Sequence, residues 1–154
     1  MKKTITIILF FIITGCGFKV VKMNDVFNFS IVEFETTGDK KINYIIKNNF
    51  LISIKQNEEK QISININTNK EKSIKEKNIK NEITKYVISI VADVNLKEIS
   101  KAGSFKFTII QTGTFSVAGN NSDTRNNEKN LISLLSNKLA KEILREVKLK
   151  LNDI

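Results

Sequence analysis

Histidine, proline and tryptophan are absent from this chain of 154 residues, and cysteine occurs once. Without histidine and with a single thiol, the usual nucleophile–base pairs and transition-metal ligand sets cannot be assembled. An internal disulfide is excluded for the same reason. The six glycines do not supply a phosphate loop, because Gly103, Gly113 and Gly119 form no Gly-rich signature with a following Lys-Ser or Lys-Thr. Catalysis would have to rest on carboxylates. Glu33 and Glu35 stand two residues apart on one expected strand face and Asp93 has no sequence partner, the pattern of solvated strand residues. A hydrolase would instead need a carboxylate pair lining a pocket. No catalytic residue, metal or cofactor is expected, and the chain reads as a non-enzyme. The longest apolar run is about ten residues, where a bilayer-spanning helix needs roughly 20.

What the chain has is lysine, asparagine and isoleucine in abundance, with Arg125 and Arg145 as its arginines. The formal charge is +9, and it stays near +7 once Lys2 and Lys3 are removed with the leader. A positive surface fits an anionic partner such as a phosphorylated lipid or a membrane face. Compositional bias of the genome accounts for part of it.

Met1, Lys2 and Lys3 precede Ile5, Ile7, Ile8, Leu9, Phe10, Phe11, Ile12 and Ile13, a basic n-region followed by an apolar h-region. This is the anatomy of a secretory signal, and export disfavours nucleic acid as a partner. Ile12-Ile13-Thr14-Gly15-Cys16-Gly17 resembles the lipobox of bacterial lipoproteins, in which cleavage ahead of the cysteine leaves it as an acylated N-terminus. Several acyl chains on one residue suffice for stable anchoring, at about 0.8 kcal/mol per buried methylene. The expected organisation is a signal peptide over 1–15, a lipidated N-terminus and tether over 16–25, and one domain over 26–154. Cys16 would join the protein to outer-membrane lipid.

Alternating residues Phe27, Phe29 and Ile31 predict a first strand from Phe27 to Glu35. Thr37 and Asp39 are the candidate caps for a helix over Lys40–Gln56, whose apolar stripe is regular only in its first two turns. Ile62, Ile64 and Ile66 predict a half-buried strand over Gln61–Asn67. The polar run Asn69–Glu82 reads as a hairpin tip. Its lysines Lys70, Lys72, Lys75, Lys77 and Lys80 are either phosphate contacts or the charges of a solvated loop. Thr84–Leu96 alternates cleanly, and Phe105 to Val117 follows as its hairpin partner. Gly113 marks a bulge or a close backbone approach. Ser122 or Asp123 would cap a final helix to about Leu151, where Leu131, Leu135, Leu139, Ile143 and Val147 form one stripe and Lys138, Lys141, Arg145 and Lys148 face solvent.

The order strand, helix, three strands, helix behind Cys16 resembles the LPS-assembly lipoprotein LptE (RlpB) family. The residues that carry the resemblance are Cys16-Gly17-Phe18, Ile42 to Leu51, Tyr86 to Leu96, Thr114-Phe115-Ser116-Val117-Ala118, Asn130-Leu131 and Leu139-Ala140-Lys141-Glu142-Ile143. It implies an α+β fold with two α-helices on one face of a four-stranded mixed β-sheet. It also implies a role without catalysis: plugging and helping to assemble the LptD β-barrel, with contact to lipopolysaccharide (LPS) during transport and insertion at the outer membrane. Gly17 after Cys16 fits sorting to the outer membrane, anchored on the periplasmic side. Two departures stand out, namely Lys19-Val20 where the family commonly has proline and the lysine-rich run from Lys70. The family's basic contact positions therefore do not transfer. The LPS-contact candidates here are Lys70, Lys72, Lys75, Lys77, Lys80 and Arg125. The alternative reading is a lipoprotein auxiliary subunit of a lipid-transport ABC system, with the same anchor and a similar small domain.

Overall fold

The computed structural model describes residues 29–53, 60–100 and 103–152. The expected signal peptide, the tether and Cys16 lie outside the described residues. The elements are β1 (Ser30–Gly38), α1 (Lys40–Ser53), β2 (Gln61–Lys77), β3 (Ile83–Glu98), β4 (Ser104–Ser116) and α2 (Asn121–Asn152). The sheet order is β1-β2-β3-β4. β1 pairs with β2 in parallel across the α1 crossover, and the other two pairings are antiparallel. The expected α+β fold, a mixed four-stranded sheet with two helices on one face, is what forms.

The core follows the two periodicities of the sequence. Ile62, Ile64 and Ile66 of β2 and Ile88, Ile90, Ala92, Val94 and Leu96 of β3 are buried on one sheet face, as alternation requires. The helices supply the second layer. Ile42, Ile46 and Phe50 of α1 and Leu135, Leu139, Ile143 and Val147 of α2 are buried, each set recurring every fourth residue. The α1 stripe therefore persists beyond its first two turns. Its expected last residues, Ile54 to Gln56, lie outside the described residues. Across the layers Phe34 meets Phe50 edge to face, with ring centroids 5.3 Å apart. Each buried isoleucine or leucine side chain stabilises the fold by roughly 1.5–3 kcal/mol relative to exposure.

Local chemistry sets the element ends. β1 runs to Gly38, past the expected Glu35, because Thr36, Thr37 and Gly38 continue in register with Ile66, Asn67 and Thr68. Asp39 is the α1 cap: its Oδ1 accepts the backbone N–H groups of Lys41 and Ile42 at 3.0 and 3.2 Å. For α2 the expected caps are wrong by two or three positions. The helix begins at Asn121, and Asn120 accepts the Asp123 N–H at 2.7 Å while donating to its carboxylate at 2.8 Å. An asparagine one residue ahead of the first turn reaches the N3 amide in the way a capping box does. The close-approach reading of Gly113 holds. It pairs with Ile88 in an unbroken register, and a Cβ there would lie 2.8 Å from Leu131 Cδ1.

Both ends of the domain are defined by these pairings. The described chain enters beside the start of β2, where the Ser30 N–H donates to the Lys60 carbonyl. At that same end Lys60 Nζ donates to the Leu151 carbonyl at 2.6 Å, closing the last turn of α2. The β2–β3 turn lies at the opposite end.

Candidate functional site

The region with most of the candidate lysines is built from an unequal sheet. β1 accompanies β2 only as far as the pair Gly38–Thr68, while β2 continues for nine more residues against β3. The expected tip over 69–82 is thus mostly strand, with the turn confined to residues 78–82. The reason is pairing: Tyr86, Val87, Ile88, Ser89 and Ile90 of β3 require a hydrogen-bonded neighbour, and the polar run Lys70 to Ile74 provides it.

A buried polar junction marks the point where β1 departs. Thr68 Oγ1 donates to Asn43 Oδ1 at 2.7 Å and accepts the Asp39 N–H at 3.1 Å. Asn43 Nδ2 in turn donates to the Thr37 carbonyl at 3.0 Å. Gly38 adopts φ +97°, and a Cβ on it would fall 1.8 Å from the Thr68 carbonyl oxygen, so only glycine fits this exit.

Beyond the junction the lysines separate into two groups. Lys70 and Lys72 extend the inner row of β2, in phase with Ile64 and Ile66, and are bound to the helices. Lys70 Nζ lies 2.8 Å from Asp39 and Lys72 Nζ 2.6 Å from Glu128. Lys72 also sits over the Tyr86 ring at 4.4 Å and the Phe115 ring at 5.2 Å, rings that stack on each other at 5.4 Å. Partial burial works to raise the Asp39 pKa, but the Lys70 hydrogen bond and the backbone N–H groups of Ile42 and Lys41 outweigh it and leave it below the ordinary value.

Lys75, Lys77 and Lys80 form the second group, and all three are exposed. Lys75 is the extra residue where the β2–β3 register shifts between Ile74 and Glu76. Lys77 donates to Asn81 Oδ1 at 3.0 Å. Among the described residues neither Lys75 nor Lys80 has an ion-pair partner. Glu76 is matched by Lys85 at 2.7 Å, whose hydrogen bond and charge hold the Glu76 carboxyl below its ordinary pKa. Arg125 is exposed on the first turns of α2, at the same end of the domain, with no ion-pair partner among the described residues.

Besides its backbone bonds, the turn is held chiefly by the Asn78 side chain. Asn78 Oδ1 accepts the N–H groups of Lys80 and Glu82, both at 2.9 Å. Asn78 Nδ2 donates to Glu82 Oε2 at 2.7 Å, and Asn81 takes the left-handed conformation at φ 64° that asparagine tolerates. At the apex Ile79 is 104% exposed. Charge singles out the lysines of this run, and the sequence signal for Ile79 is an apolar residue standing in a polar turn.

Among the described residues the other sheet face carries no helix. There Glu33 and Glu35 accept hydrogen bonds from Ser63 and Asn65, and Asp93 from Thr108. A shallow depression of about 480 Å³ lies among Asn65, Asn67, Asp93, Asn95, Lys106 and Thr108. Among the described residues no three acidic or thiol side chains cluster to hold a metal, and no helix is long and apolar enough to cross a membrane.

No protein-family model and no curated protein sequence matches the chain. Solved structures do. Rare lipoprotein B from Shewanella oneidensis superposes with a TM-score of 0.66 and 11% identity, over 80% of this chain and 98% of that one. Lipoprotein B from Nitrosomonas europaea gives a TM-score of 0.51 and 14% identity, over 86% and 90% of the two chains. The shared feature is the fold, with its helices on one face of the mixed sheet.

Proposed function

We propose that the chain is an outer-membrane lipoprotein of the LptE type, anchored through acylated Cys16 on the periplasmic side. It plugs and helps assemble an LptD-type β-barrel and takes part in LPS transport and insertion. The observation that supports this most is the fold shared with rare lipoprotein B across nearly all of that solved chain, joined to a lipobox-like sequence around the single cysteine. The sheet face away from the described helices suits a wet barrel wall, since it presents Ser63, Asn65, Asn67, Asp93, Asn95, Thr108, Thr112 and Thr114 around the apolar pair Val91–Ile110. The lysines left uncommitted at the hairpin end suit phosphorylated sugars. No reaction is assigned to it.

Affinity purification of the tagged protein from detergent-solubilised outer membrane tests this reading. A large β-barrel should co-purify in stoichiometric amount. Recovery without any barrel overturns the plug role, and recovery with inner-membrane ATPase components instead supports the ABC-subunit alternative. Mass spectrometry of the N-terminal peptide should find Cys16 first in the chain and acylated.

A further inference from the structure

The hairpin end combines two chemistries that a single kind of surface satisfies. Lys75, Lys77 and Lys80 are exposed there, opposed by Glu82 once Glu76 is matched by Lys85. Between Lys77 and Lys80 stands Ile79 at 104% exposure, on a turn whose polar backbone groups are bonded through Asn78. A lone surface isoleucine is ordinary. This one differs in placement, at the apex of a hairpin that β1 does not flank, held out by a turn that gives it no apolar contact. A soluble anion would engage the lysines and leave Ile79 in water. An apolar protein groove would take Ile79 and leave the lysines uncompensated. The boundary between lipid phosphates and acyl chains satisfies both.

We propose that the β2–β3 tip docks on the surface of an anionic bilayer, with Ile79 entering the headgroup–acyl boundary and Lys75, Lys77 and Lys80 meeting its phosphates. Lys70 and Lys72 take no part, since Asp39 and Glu128 hold them. The inference rests on the reading of Cys16 as a lipid anchor. The described chain enters beside Gln61, and the 17 residues of β2 extend about 55 Å at roughly 3.3 Å per residue. That exceeds the roughly 30 Å hydrocarbon core of a bilayer. The tip therefore stands far from the point where the described chain enters the domain, clear of the helices and of β1.

Full-length lipidated protein is loaded into supported phosphatidylcholine nanodiscs, with loading measured by mass, and fluorescent vesicles are passed over it. Vesicles rich in phosphatidylglycerol should be retained and phosphatidylcholine vesicles should not. Ile79→Ser should lower retention about tenfold, the loss expected for one isoleucine that no longer leaves water. Serine at Lys75, Lys77 and Lys80 together should abolish it, and added salt should weaken retention by the wild type. Circular dichroism should be unchanged for Ile79→Ser, because the side chain has no packing to lose. Equal retention of both vesicle types, retention unaffected by Ile79→Ser, or no retention by loaded protein overturns the proposal. So does a tip that binds inorganic polyphosphate but captures no vesicle. Failure to load shows first in the mass and counts against the anchor alone; flotation of the free chain with the same vesicles then decides the tip. The barrel co-purification does not depend on Ile79, so the two readings fail separately.

Discussion

From Gln61 to Thr68, β2 lies between β1 and β3 and buries Ile62, Ile64 and Ile66 completely, whereas its remaining residues pair with β3 alone and are exposed throughout. The inner row does not change phase between the two halves. Lys70, Lys72 and Ile74 occupy the places that Ile62, Ile64 and Ile66 hold earlier. What changes is the cover, because β1 ends and α1 begins at the junction. Lys70 and Lys72 answer this with amines that reach Asp39 and Glu128. The first half of the strand holds the domain together, and the second carries charge outward on the same backbone.

The sharpest way to break the division is at Gly38, where β1 leaves β2. A Cβ placed 1.8 Å from a backbone carbonyl cannot be accommodated without moving Thr68, and the φ of +97° is strained for any other residue. Gly38→Ala should therefore destabilise by on the order of 4 kcal/mol or more, read as a fall in the urea midpoint. A loss below about 1 kcal/mol would mean that the strand exit is adaptable and the two halves are not separately defined.

Cavities compare the halves directly. Ile64→Ala removes side-chain atoms from a fully buried site and should cost about 3 kcal/mol. Ile74→Ala, at a site 49% exposed, should cost less than about 1 kcal/mol. Equal costs in chemical denaturation would show that the distal half is packed as firmly as the proximal one.

This contrast also explains how much the sequence disclosed. The proximal half was legible because Ile62, Ile64 and Ile66 alternate with Ser63, Asn65 and Asn67, the pattern of a strand with one buried face. The distal half was not, since Lys70-Glu71-Lys72-Ser73 carries no apolar period, and its strand state comes from β3 across the ladder. Local pattern reports burial, and pairing reaches past burial. Among the candidate site residues, charge picked out all five lysines alike. Their division depends on Asp39 and Glu128, which lie 31 and 56 residues away in sequence, a separation that no local reading spans. Asn120 as the α2 cap was missed for a smaller reason, since Ser122 and Asp123 are equally good caps and the true helix start decides among them.

At the junction, Thr68→Val keeps the shape and removes the hydroxyl that donates to Asn43 and accepts from Asp39. Leaving those buried groups unpaired should cost about 2 kcal/mol. The loss should appear with amide exchange accelerated in the first turn of α1 more than in the distal hairpin. Acceleration confined to the hairpin would place the junction's role on the wrong side of the boundary.

The smallest effect separates charge from capping at Asp39. Asp39→Asn keeps an oxygen able to accept the Lys41 and Ile42 amides but gives up the ion pair with Lys70. That pair is partly exposed, so its worth is below about 1 kcal/mol. Because the folded pKa of Asp39 lies under the ordinary 3.8, the carboxylate's contribution is fully present above that value and disappears as pH falls through the lower folded pKa. The stability gap between wild type and Asp39→Asn should be constant from neutral pH down to about pH 5 and close below about pH 4, as followed by denaturant titration at each pH. It should also shrink with salt. A gap that persists in strong acid would assign the effect of Asp39 to cap geometry, and Lys70 would then join Lys75, Lys77 and Lys80 as a charge the distal half is free to present.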